Sequence, residues 1–219
     1  MLVRLAVPFA TAALTGQTVH PVGPGGFAQI ADAIAAAAPD DVIEVQTGTY
    51  APFVLDKALT IRAAPAARVV VASPSIDSVR ILPPAGTVAA IARLEFLNPW
   101  RYFPGCDVRV ERGTAWFEDC VFEAPYRFGT AALTIDHSAA VLRGCVLAGS
   151  GVAVSTEGTA NPGLAADVAT VLATACIFAG SNTTLDSPGA GGPGIAATTS
   201  AAQLVRCEVY GGDQLHVWG

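Results

Sequence analysis

Residues 118–125 read EDCVFEAP, and the pattern returns as RGCVLAGS at 143–150, TACIFAGS at 174–181 and VRCEVYGG at 205–212. Each copy places a cysteine (Cys120, Cys145, Cys176, Cys207), one intervening residue, then a large apolar one (Phe122, Leu147, Phe178, Val209). In an extended strand that spacing puts the cysteine and its apolar partner on one face and the residue between them on the other. Upstream of each copy lies a second short apolar run: VRV from Val108, LTI from Leu133, VAV from Val152 and IAA from Ile195. Run to cysteine is 12 residues in the first, second and fourth copies. In the third it is 24, as though STEGTANPGLAA (155–166) were a loop-like insert. A fixed step broken only by loops is the signature of stacked coils, because each coil must lie over the one before while its turns are free to lengthen.

Working back towards the N-terminus, FAQIADAIAAAAP (27–39) carries Ile30, Ala31, Ile34, Ala35 and Ala38 at helical spacing, and Pro39 stops the pattern. It is the only helix the sequence predicts. DDVIEVQTGTY (40–50) follows, with Ile43 and Val45 alternating with Glu44, and further alternating strands fall around Leu59 and Ile61, Val69 and Val71, and Val79 and Ile81. A helix laid over the first coil would cover an otherwise open apolar end. Residues 1–26 read either as a first strand at the base of the stack or as a weak secretory signal: MLVR followed by LAVPFATAAL has one positive charge, an apolar stretch and small residues. Residues 27–219 read as a single domain.

AIAAAAPDDVIEVQTGTY (33–50) followed by KALTIRA (57–63) resembles the opening of right-handed parallel β-helix proteins of the pectin-lyase-like group. The cysteine endings resemble that group's coil repeat. The expected fold class is therefore all-β, a right-handed parallel β-helix with one N-terminal capping α-helix. The group includes lyases, hydrolases, esterases, phage tailspikes and many surface proteins, so the resemblance implies a fold without choosing an activity.

Composition narrows the partners. At 219 residues and 52% hydrophobic, the chain can bury a large core, and a net charge of −6 argues against nucleic acid or anionic lipid. Mean hydropathy is +0.49, yet no apolar run is long enough for a membrane span, which needs roughly 18 residues. The expected partner is a polysaccharide or glycan, and the expected location extracellular or cell-surface. DQLHVWG (213–219) ends in mid-coil without a polar cap, which suggests a homo-oligomer through that coil.

In the resembled group the first strand of each coil floors a groove, which here implies a floor of Arg109, Thr134, Ala153, Ala196 and His216. Two lengthened turns beside it, NPWRYFPGC (98–106) and EAPYRFGT (123–130), set Trp100, Arg101, Tyr102 and Phe103 near Tyr126, Arg127 and Phe128. Aromatic faces cover sugar rings and guanidinium forks pair with carboxylates, which suits an acidic polysaccharide. Packing of the two turns on each other is the plainer account of the same residues. The candidate catalytic residues are Arg109 and Glu111 in one coil and Asp136 and His137 in the next, with Arg112 beside them. A carboxylate, an imidazole and a guanidinium are the parts of β-elimination or hydrolysis, although Asp and His are also ordinary turn residues. The group's Asn-Thr-Asp and Gly-His-Gly patterns are missing, and no groove strand shows spaced acidic residues for calcium.

No metal and no cofactor are expected. The stacked cysteines lie within disulfide reach by the strand spacing of about 4.8 Å, but in-register neighbours are poorly oriented for bridging, so a ladder of free thiols is expected. Cys106, outside that register, reads as partly exposed. Three functions remain open: a non-catalytic glycan-binding module, a polysaccharide lyase or glycoside hydrolase acting on uronate-type polymers, and a spike-like oligomeric structural element. A regular threonine ladder, as ice binding would need, is absent, since the floor offers Thr134 alone.

Overall fold

The computed structural model describes residues 16–73, 77–97, 106–124, 130–149, 161–181 and 192–211. They form three parallel sheets stacked as a parallel β-helix. The first sheet has eight strands: Val19–Val22, Val42–Val45, Thr60–Ala63, Val88–Ala92, Thr114–Glu118, Ala139–Arg143, Thr170–Thr174 and Ala201–Val205. Six form the second: Val54–Leu55, Asp77–Ile81, Cys106–Val110, Leu133–Asp136, Leu164–Asp167 and Ile195–Thr198. Seven form the third: Gly48–Tyr50, Val69–Val71, Leu94–Phe96, Val121–Glu123, Val146–Ala148, Ile177–Ala179 and Glu208–Tyr210. From Asp77 onward the chain visits the second, first and third sheets in turn and then climbs to the next coil.

Alternation sets which residues face inward. In Thr114–Glu118 the buried positions are Ala115 and Phe117, while Trp116 is exposed. Register then converts single strands into columns. Phe96, Phe122, Leu147, Phe178 and Val209 are successive partners in the third sheet. Phe122 stacks on Phe96 at 5.0 Å between ring centroids and meets Phe117 edge-on at 5.2 Å, the two geometries that aromatic quadrupoles favour. One continuous apolar cluster runs from Val22 to Phe178. At the last described coil, Leu204 and Val209 continue core columns but remain exposed.

The third repeat departs from the reading at Val152. The strand in register with Leu133 and Ile195 is Leu164–Asp167, and 12 residues separate Leu164 from Cys176. The step is therefore unbroken, and the extra residues precede the coil instead of interrupting it. Residues 150–160, Ala153 among them, lie outside the described residues, and Ala165 takes its expected place in the floor. The turn after Cys145 is consequently a long one.

The expected helix is present as α1, Ile30–Ala36, but its buried face is Ile30, Ala33 and Ile34; Ala31, Ala35 and Ala38 are exposed. Its C-terminal carbonyls would otherwise lack donors. Lys57, from the following coil, supplies them: its Nζ donates to Ile34 O at 2.7 Å, Ala35 O at 3.2 Å and Ala37 O at 2.8 Å. Cationic charge at that end also suits the helix dipole. No helix among the described residues is long and apolar enough to cross a membrane.

Cys120, Cys145, Cys176 and Cys207 are free thiols; Cys106, Cys120, Cys145 and Cys176 are buried and Cys207 is half-buried. Cys106 thus differs from the expectation of partial exposure, because it opens strand Cys106–Val110 at 1% exposure. A hydrogen bond with the Cys120 thiol, reinforced by burial, pushes the Cys145 thiol up to about 12. It stays protonated and unreactive at neutral pH.

The base of the stack is tied by one carboxylate. Asp41 Oδ1 accepts the Thr18 backbone N–H at 2.9 Å, and Oδ2 accepts that of Ala38 at 2.9 Å and lies 2.9 Å from His20 Nε2. His20 first, then the two backbone donors, lower the Asp41 pKa from 3.8 to about 2. A depressed carboxylate contributes stability that is complete above its unfolded value and is lost as pH falls through its folded value. We predict that Asp41→Asn lowers the unfolding midpoint at pH 6 and flattens its decline between pH 4 and 2. Parallel wild-type and variant curves across that window would show that Asp41 is not engaged in solution.

Candidate functional site

The outer face of the second sheet carries three of the seven ion pairs among the described residues. Arg80, Arg109, Thr134, Ala165 and Ala196 are successive partners along it. Two residues earlier stand Ser78 and Asp107. Two residues later, the pairing of Val110 with Ile135 sets Glu111 level with Asp136, which pairs with Asp167, and that with Thr198. Period-two alternation puts all three columns on one side of the sheet. The floor is thus more charged than the expected run of small residues. His216 of that expected floor lies outside the described residues.

Two ion pairs occupy its lower half. Arg80 grips Glu111 with both arms, Nε to Oε1 at 3.0 Å and Nη2 to Oε2 at 2.5 Å. The fork is the geometry in which guanidinium and carboxylate match best. That hydrogen bond holds Glu111 below its ordinary value, so it is ionised and suited neither to donate a proton nor to take one readily at neutral pH. Arg109 Nε lies 2.5 Å from Asp107 Oδ2, and Ser78 Oγ donates to Asp107 Oδ1. Asp107 is buried, whereas the Arg109 side chain is half exposed. Asp107 therefore acts as an anchor that aims the guanidinium outward.

Above them Asp136 Oδ1 and His137 Nδ1 share a hydrogen bond at 2.5 Å, with both side chains about half exposed or more. The Asp136 hydrogen bond, then its charge and that of Asp167, raise the His137 pKa above 6.5. Asp136, His137 and Asp167 each offer a ligand atom within 4.8 Å of the others. Carboxylate oxygens with one imidazole are a donor set that a divalent cation accepts when water completes its shell. His137 also borders an open depression of about 600 Å³ that includes Asp56, Pro83, Pro84 and Arg112.

The structure thus brings Arg109, Glu111, Asp136 and His137 onto two adjacent coils, and adds Arg80, Asp107 and Asp167. Sequence reading missed Arg80 because its coil spans 15 residues from Val79 to Leu94, the PPAG turn at 83–86 lengthening it. It missed the Asp136–Asp167 adjacency because the third coil was started at Val152; counting back 12 from Cys176 would have found it. Trp100, Arg101, Tyr102, Phe103, Tyr126, Arg127 and Phe128 lie outside the described residues.

No family model matches the chain, and no curated protein does. Among solved structures, the ORF18 protein of Geobacillus virus E2 is similar over 84% of this chain, with a TM-score of 0.56 and 14% sequence identity. This chain spans 39% of that protein's length. At such identity the likeness is one of fold, a parallel β-helix, and membership of the pectin-lyase-like group has no family match behind it.

The geometry sets an expected titration. A histidine with a raised pKa contributes stability fully below its unfolded value and loses it as pH rises through the folded one. In an NMR titration His137 should titrate above an ordinary exposed histidine, and Asp136→Asn should bring it back down. An unchanged midpoint in the variant would show that the pair does not form in solution.

Proposed function

We propose that the chain is a non-catalytic β-helical module of a surface structural element, extracellular or cell-surface, that binds a polysaccharide along the outer face of its second sheet. The observation that carries this reading is the mutual neutralisation of the charges in the groove's lower half. Arg80 with Glu111 and Arg109 with Asp107 form a fixed, balanced set of planar polar groups. Such groups can hydrogen-bond sugar hydroxyls, and they have no unpaired carboxylate ready to act as base. The segments around Trp100, Arg101, Tyr102, Tyr126 and Arg127 supply the further contacts in this reading, and a ladder of thiols runs up the rod opposite the groove. The viral fold likeness favours the structural half of the proposal.

The test is retention by immobilised or gel-embedded polysaccharides, neutral and uronate-rich. Arg80→Ala and Arg109→Ala should each weaken retention about tenfold; stability should change little in Arg80→Ala, since exposed ion pairs contribute roughly 0–1 kcal/mol, and fall in Arg109→Ala, which leaves the buried Asp107 without its counter-charge, so retention is read at a temperature where both variants are folded. Unaltered retention in both variants would sink the groove as the binding face.

One observation favours a second reading, a lyase or hydrolase acting on uronate-type polymers: the convergence of Asp136, His137 and Asp167. There His137 and Asp136 would exchange the proton while Arg109 steadied developing negative charge. Assays for unsaturated products and for new reducing ends, with and without calcium, should then give a signal that Asp136→Asn and His137→Ala both abolish. Silence in the wild-type protein across pH removes this reading.

A further inference from the structure

The first sheet's outer face holds a second feature, on a different side of the rod from the groove. Its outward columns run Thr60, Ala90, Trp116, Val141, Leu172 and, two residues on, Arg62, Ala92, Glu118, Arg143, Thr174. Beyond the exposed Val88 at its start, the strand Val88–Ala92 presents only the methyl groups of Ala90 and Ala92 between two strands with larger side chains. One side of this trough is Trp116 with Glu118; the other is Thr60 with Arg62. Trp116 is 40% exposed, and its neighbour Ala90 is far too small to cover the indole on that side.

The chemistry of the walls limits what fits. Arg62 Nη2 holds Glu44 at 3.1 Å, and Arg143 Nη1 holds Glu118 at 3.2 Å. Each charge at the trough already has its counter-charge, so an ionic ligand has nothing to neutralise. Arg62 Nε is buried and without a hydrogen-bond partner, so it is the half-exposed end of the guanidinium that borders the trough. Size decides between a small ligand and a second copy of the chain. The trough spans two strand spacings of about 4.8 Å and a length of roughly 7 Å between alternate residues. That is on the order of 100 Å², against about 800 Å² per partner in a stable protein interface.

We propose that the trough over Ala90 and Ala92 is a binding site for a neutral carbohydrate ring. The ring's apolar face lies against the Trp116 indole, an amphipathic surface suited to a group with apolar faces and a polar rim. Its hydroxyls accept from Arg62 and donate to Glu118. The site is independent of the groove on the second sheet, and neither needs the other.

The test uses two neutral probes, cellohexaose and maltohexaose, with the full chain, followed by calorimetry and by ligand-observed NMR. At least one should bind. Trp116→Ala should weaken binding tenfold or more, and Ala90→Leu, which fills the trough but keeps the indole, should do the same. Trp116→Phe should recover part of the affinity. Thermal melts of all variants separate lost binding from lost fold. Three results overturn the proposal: no binding of either probe, equal binding by folded Trp116→Ala and Ala90→Leu, or self-association of the wild type that Trp116→Ala abolishes, which would assign the face to a second copy.

Discussion

The structure depends on a corner one residue long. Between the first and third sheets the chain turns through a single left-handed residue: Arg93, Asp119, Gly144, Ala175 and Arg206, with φ between 51° and 62°. For a residue with a Cβ this conformation costs about 1–2 kcal/mol, so something local must hold it. The next residue does. The thiols of Cys120, Cys145, Cys176 and Cys207 each donate to the carbonyl two positions back, across the corner, at 3.3–3.4 Å. The corner's own N–H finds the adjacent coil, as from Asp119 to Arg143 O and from Ala175 to Val205 O. A small buried side chain with a weak donor suits this position, which favours the recurrence of cysteine without metal or disulfide, although after Arg93 the same place is filled by the buried Leu94. Because the corner is one residue long in the cysteine coils, the run from second-sheet strand to cysteine stays at 12 residues there, whereas residues 64–68 make the same corner longer in an earlier coil without loss of register.

The opposite corner, between the second and first sheets, bears on the candidate site. His137 is left-handed there, at φ 46°. Backbone strain at a histidine beside two carboxylates invites a catalytic reading. Val168 and Thr199 adopt the same conformation at equivalent places in the next coils, and neither carries comparable chemistry. The strain therefore belongs to the corner. What is particular to His137 is its partnership with Asp136 and Asp167, and only that bears on function.

How far the sequence could be read follows from the same geometry. Corner and core are periodic, so the helix and most second- and third-sheet strands were legible from spacing, while the first-sheet strands from Val88–Ala92 to Ala201–Val205 were not singled out. Errors arose where local hydrophobicity was preferred to period. VAV at Val152 looks more like a strand than LAAD at Leu164, yet only the latter keeps the step, and choosing the former hid the pairing of Asp136 with Asp167. Burial of Cys106 and Asp107 was likewise hidden, since it depends on what lies over the strand and not on alternation within it. Pairings such as Arg80 with Glu111 cross coils, between residues 31 apart; no local pattern announces them until the register is known.

Register also separates residues that the fold requires from those it merely permits. Inward columns are constrained by neighbours above and below, as Phe122 is by Phe96 and Leu147. Outward positions meet no such demand, and the β-helix tolerates nearly any side chain there. An outward Trp116 beside an outward Ala90 thus has no explanation in packing: the indole leaves apolar surface in water, at roughly 25 cal/mol per Å², and the alanine withholds the neighbour that would cover it. The same reasoning applies to the second sheet, where a buried Asp107 aims Arg109 outward. In both places the chain carries a cost that stability alone does not require, and the two faces differ in what they offer: paired charge with the hydrogen-bonded Asp136 and His137 on one, a neutral aromatic trough on the other.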